Sequence, residues 1–115
     1  MTDYKVIFHI DELVKWNQVL ANVTNLLEGV SVSNETIEVE VLANSEAIEY
    51  YRNSKDINIK LVDLNMKGVK FIACNNSLKG YNLKPDNLID FINIVPVGVL
   101  ELVKKQREGY AYIKP

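Results

Sequence analysis

Disulfides do not hold this chain together, because it contains one cysteine, Cys74. No internal cross-link is available, and no cysteine framework defines the fold. Histidine is equally scarce, with His9 alone. One His and one Cys fall short of the three or four protein ligands that a zinc site uses, so no metal is expected. Charge of either sign is not in excess: the formal net charge is −2 over 115 residues. The electrostatic footprint of a nucleic-acid binder is therefore missing. The chain also lacks a long apolar run and a basic-then-apolar leader, which argues against a membrane partner and for a cytoplasmic protein. No glycine-rich phosphate loop follows the first apolar segment. His9-Ile10-Asp11-Glu12 stands where GxGxxG or GxxxxGK[ST] would be, and this acidic turn would repel a phosphate. Dinucleotide, P-loop and flavin-phosphate chemistry are excluded on that basis, and no cofactor is expected.

What is present is an alternation of strand-like and helix-like segments. Tyr4 to Ile10 is an apolar, β-branched run and predicts a first strand, with Asp11 placed to cap a helix. Leu13, Trp16, Leu20, Val23 and Leu27 recur at helical spacing, and Gly29 is the expected stop. Thr36 to Leu42 predicts a second strand. Its alternation of Ile37, Val39 and Val41 with Glu38 and Glu40 places it at or near a sheet edge, where the glutamates would guard against unwanted pairing. Ser45 is positioned to cap a short helix. A further helix over about 57–67 carries Ile59, Val62 and Met66 on one face, and Gly68 ends it.

Val69 to Ala73 predicts a short buried strand leading into Cys74, and a short helix follows at about 77–79. Ile92 to Val95 predicts a fourth strand, Pro96-Val97-Gly98 a tight strand-to-helix turn, and Tyr110 to Ile113 a last strand. Between them Val99, Leu102, Val103 and Gln106 sit at helical spacing. Lys104, Lys105 and Arg107 fall in that helix's last turns, where they complement its dipole. The β-α-β-α-β-α-β-α-β order implies right-handed crossovers. The expectation is one α/β domain over residues 1–115, with a five-stranded, mostly parallel sheet flanked by helices on both faces.

Cys74 is the residue on which function turns. The carboxyl end of a parallel strand faces the crevice where such folds bind ligands. There the amides and dipole of the next helix stabilise a thiolate. The plain alternative is that Cys74 is a small buried hydrophobe. His9 ends the first strand on the same sheet edge, so a Cys74–His9 pair with Asp11 orienting the imidazole is a further arrangement to test, including as a hydrolytic triad.

Three stretches carry a family resemblance. They are Lys5-Val6-Ile7-Phe8-His9-Ile10-Asp11-Glu12 with Trp16 and Asn22, then Gly68 through Leu78, then Val95-Pro96-Val97-Gly98-Val99 through Lys114-Pro115. Together they resemble the small DsrE/DsrF-like proteins over nearly the whole chain. The resemblance implies a five-stranded, mostly parallel sheet and assembly as a trimer or hexamer. It also implies a sulfur-relay role, in which the cysteine after the third strand holds sulfur as a persulfide between donor and acceptor proteins. Cys74 matches that position. Asn75, Asn76 and Ser77 would then supply thiolate-stabilising amides and hold the persulfide or an acceptor tail. His9, Asp11, Pro96 and Gly98 would complete the pocket. Two functions are thus carried forward: a sulfur carrier, or a non-catalytic oligomeric module that binds a small ligand or protein with Cys74 as lining. Separately, 48% apolar residues in a domain this small favours self-association.

Overall fold

A computed structural model describes residues 2–115. Five strands form one sheet: β1 (Tyr4–Ile10), β2 (Ile37–Ala43), β3 (Lys70–Cys74), β4 (Asn93–Val95) and β5 (Ala111–Ile113). Every pairing is parallel, and the spatial order is β4-β3-β2-β1-β5. The four helices are α1 (Trp16–Val32), α2 (Ile59–Met66), α3 (Asn75–Gly80) and α4 (Gly98–Arg107). Short 3-10 turns at Leu13–Lys15, Ser45–Tyr51 and Pro85–Asn87 complete the connections. Among the described residues, no helix is long and apolar enough to cross a membrane.

Strand alternation divides the interior into two unequal parts. One face of the sheet presents Val6, Phe8, Ile10, Val39, Val41, Phe71 and Ala73 to α1, α2 and the 45–51 turn, and forms the large core. Trp16 is its centre. Its ring stacks on Tyr50 at 4.7 Å between centroids and meets Tyr51 edge-on at 5.2 Å. The indole N–H donates to the Ala47 carbonyl at 2.9 Å, so the ring is buried without stranding its polar atom. The opposite face holds a small cluster of Ile7, Leu42 and Ile72 under Leu102 of α4.

Several sequence expectations change. The second strand is the middle strand of five, not an edge. Its Glu38 faces solvent, but Glu40 is buried. Alternation was read as exposure of one face, whereas α4 covers part of that face and Lys105 neutralises part of its charge. The true edges, β4 and β5, are three residues long, which limits edge pairing by brevity.

Gly29 does not end α1. The helix continues to Val32, and Asn34 takes the left-handed turn at φ 60° that glycine would otherwise supply. Asp11 does not cap α1, because a 3-10 turn begins after Glu12 and leads into the helix. Nor does Ser45 cap the turn that it opens. Asn44 occupies the cap position, and Ser45 is itself left-handed at φ 50°. In α2 the buried residues are Leu61 and Leu64, while Ile59 and Met66 face solvent. The helix is entered from Asn58, whose side chain accepts from the Lys60 N–H, and this start sets the inward face. Gly68 and Gly109 do terminate their helices, at φ 99° and 96°.

Truncating Trp16 to Ala removes the stacked ring and leaves the Ala47 carbonyl without its partner. The expected cost is about 3–5 kcal/mol in urea unfolding, with an unchanged dependence on denaturant concentration. A loss below ~1 kcal/mol would show that Trp16 is not the centre of this core.

Candidate functional site

The carboxyl ends of β1, β2, β3 and β4 meet along one edge, because all strands run the same way. Cys74 ends β3 and is also the residue from which α3 starts, with extended backbone at φ −80° and ψ 119°. Two helices converge on its sulfur. The first turn of α3 brings the amides of Asn76 and Ser77, and the first residue of α4 brings Gly98. The Gly98 N–H donates to Sγ at 3.2 Å.

Gly98 is required by space. A Cβ built there would sit 2.9 Å from Cys74 Cβ, 3.3 Å from Sγ and 3.4 Å from Leu42 Cδ2. Only a residue without a side chain lets the helix start rest on the thiol.

Burial of Cys74, 6% exposed, raises its pKa. The N–H of Ser77 opposes this most strongly, followed by the N–H of Gly98, the Ser77 hydroxyl and the N–H of Asn76. Together they hold the thiol below its ordinary pKa of 9.0. The Ser77 hydroxyl is itself oriented, because its oxygen accepts from the Ser45 N–H at 2.8 Å. With that lone pair occupied, its single proton is free to turn toward sulfur.

His9 lies apart from the thiol. It is on β1 while Cys74 is on β3, with β2 between them. Two strand spacings separate these backbones by about 10 Å. Both ring nitrogens are engaged elsewhere, Nδ1 with the Tyr112 hydroxyl at 2.7 Å and Nε2 with Asn44 Oδ1 at 3.0 Å. An amide oxygen only accepts, so Nε2 donates to Asn44. Asp11 does not orient the imidazole. Its carboxylate accepts from Lys114 Nζ at 3.0 Å, and that hydrogen bond, against a smaller opposing effect of burial, lowers its pKa. A Cys74–His9–Asp11 triad is therefore not assembled.

Pro96 follows Val95, the β4 residue paired with Cys74, and leads the chain into α4. Asn75 lines a groove of about 330 Å³ on the α3 side, with Leu78, Lys79, Asn82 and Lys84. Of the residues that the sequence pointed to, Asn76, Ser77 and Gly98 lie around Cys74. The sequence reading missed Ser45, Asn44 and Tyr112. Of these, Asn44 and Ser45 follow β2 directly, so their place on the same edge is a signal that the strand assignment carried.

This is an all-parallel α/β domain whose only thiol sits at the strand-end crevice between two helix starts. Residues 6–115 match the sequence model of the DsrE/DsrF-like family, and the chain belongs to that family. The solved structure of MTH1491 from Methanobacterium thermoautotrophicum, a protein of unknown function, is similar at a TM-score of 0.89 with 33% identity, covering 98% of this chain and 100% of that one. The fold is also that of ychN from E. coli, with a TM-score of 0.75, 15% identity and coverage of 97% and 99%. BT1422 from Bacteroides thetaiotaomicron, of unknown function, matches at a TM-score of 0.73 with 10% identity and coverage of 96% and 94%. No curated protein matches the chain in sequence.

Gly98→Ala forces α4 away from the sulfur. It should cost about 1–3 kcal/mol and raise the thiol pKa, read from the pH dependence of thiolate absorbance. Ser77→Ala should raise the same pKa with a smaller loss of stability. A thiol pKa unmoved in both variants would mean that these donors do not act on Cys74.

Proposed function

We propose that the protein carries sulfur as a persulfide on Cys74. The observation behind this reading is the set of donors around the only thiol, which favours its ionised, nucleophilic form. In the first step the Cys74 thiolate attacks the outer sulfur of a donor persulfide. A new S–S bond forms at Cys74, the donor's S–S bond breaks, and the donor thiolate leaves with the electron pair. In the second step an acceptor thiolate attacks the outer sulfur on Cys74, and the Cys74 thiolate leaves. No resolving cysteine within the chain competes for the persulfide. In this reading the side chains of Asn75 and Asn76 contact the outer sulfur or the acceptor, and His9 and Asp11 belong to the farther part of the same strand-end edge.

Burial of the sulfur beneath Gly98 favours a second reading. In it the crevice binds a small ligand or a protein segment, and Cys74 is packing. The family placement supports self-association under either reading, as a trimer or hexamer. So does the outer side of α4, where Val99, Leu100 and Val103 are exposed. A second copy of the chain is the proposed occupant of that surface.

Incubation with a persulfide donor should add the mass of one sulfur atom to the intact protein. A reductant should remove it, and Cys74→Ser should not gain it. A folded wild type that gains no sulfur and resists alkylation would favour the binding module. For assembly, Val103→Lys should lower the sedimentation coefficient relative to wild type. Equal monomeric values for both would remove the proposed interface.

A further inference from the structure

Glu40 is a buried carboxylate at the middle of the central strand, 3% exposed. Its Oε1 has no hydrogen-bond partner. Its Oε2 lies 3.4 Å from Lys105 Nζ, and the same ammonium is 3.9 Å from Glu101 and 3.5 Å from Glu108. Glu101 and Lys105 are four apart on α4, so both reach down onto the sheet from one side of the helix. The other charged or titratable groups around Glu40 are exposed or only half-buried. Lys70 is its neighbour on β3. Glu40 itself lines a cleft of about 150 Å³, together with Glu38, Lys67, Lys70 and Tyr110. From β1, Lys5 sits over the Tyr110 ring, as Lys105 does from α4.

The cluster's centre is thus two carboxyls, buried Glu40 and half-buried Glu101, facing one half-buried lysine. With one carboxyl protonated, charge balances, and the acid's O–H has the other carboxylate as its acceptor. With both ionised, a negative charge is left over at a site where Oε1 has no donor from the protein, which is costly. The same helix carries Gly98 at its start, resting on Cys74.

We propose that Glu40, Glu101 and Lys105 form a proton-controlled latch, which seats α4 on the sheet while one carboxyl is protonated and loosens it when both ionise, so that the Gly98 cover over Cys74 opens toward alkaline pH. The latch governs access to the thiol and stands whether or not Cys74 carries sulfur.

The direction of the effect follows from the shift of Glu40. Burial first, then the hydrogen bond with Glu101, push its pKa from 4.5 up to about 7, against the lowering effect of Lys105. A folded-state value above the unfolded one means that the folded state holds the extra proton. The latch is complete below 4.5, weakens as pH rises through about 7, and is lost above it. Lys105 stays charged throughout, because the two glutamates outweigh the effect of burial and raise its pKa.

Hydrogen–deuterium exchange at pH 6 and pH 8.5, corrected for intrinsic exchange, tests this. Protection of the α4 amides, including Gly98, should fall about tenfold or more in wild type, while that of α1 holds. In Glu40→Gln the neutral amide mimics the protonated acid, and α4 protection should not change between the two pH values. Glu101→Gln removes the second carboxylate, lets Glu40 ionise against Lys105, and should also flatten the dependence. Cys74 alkylation by iodoacetamide, divided by the thiolate fraction, should rise severalfold more in wild type than in Glu40→Gln. Equal α4 protection at both pH values in wild type, or the same fall in Glu40→Gln, overturns the latch. If neither variant folds, the wild-type measurement decides, since a fall shared equally by α1 would be global loosening and would also overturn it.

Discussion

The contact between Gly98 and Cys74 sets how closely α4 approaches the sheet, and much else depends on that distance. Leu102 reaches the cluster of Ile7, Leu42 and Ile72 only from a helix that lies this low. Lys105 reaches Glu40 for the same reason. One missing side chain at Gly98 therefore supports an apolar contact one turn along the helix and an ionic one two turns along it. The thiol takes part in this packing and also receives a hydrogen bond from it. Reactivity and helix seating cannot be altered independently at Cys74.

The two faces of the sheet bear different loads. One is covered by α1, α2 and the 45–51 turn, and its aromatic cluster around Trp16 is continuous and almost wholly apolar. The other has α4 alone and mixes apolar residues with Glu40, Cys74 and half-buried His9. Among the strand residues, Glu40, Cys74 and His9 thus share the thinly covered face. The core that maintains the fold is therefore largely separate from the residues that are candidates for function. Along the strand-end edge there are two groups, Cys74 with α3 and α4, and His9 with Tyr112 and Asn44. Strand β2 stands between them.

Much of this was legible in the residues. Apolar β-branched runs located all five strands, and Gly68 and Gly109 marked helix ends because left-handed backbone there favours glycine. The position of Cys74 at a strand end followed from the apolar run before it. Strand order did not follow, because the alternation of β2 reports only that one face is less apolar. Whether a helix or water covers that face is decided by residues some sixty positions away, at Lys105 and Leu102. The inward face of α2 was misread because Ile59 and Met66 satisfy helical spacing as well as Leu61 and Leu64 do. The partner of His9 lay on the last strand, and no local pattern joins Tyr112 to the first. Sequence periodicity thus located the elements and the thiol, while long-range pairing decided which side chains surround them.

Strand β1 is flanked by β2, which follows it closely in the chain, and by β5, which is the last element. Val6 pairs with Ala111 and Phe8 with Ile113. During synthesis β1 finds its first neighbour early and its second only after residues 111–113 have been made. Until then one border of the first strand is open, and His9 waits for the hydroxyl of Tyr112. Completion of the sheet and of the histidine's hydrogen bonds is consequently a single event, because both depend on the docking of β5.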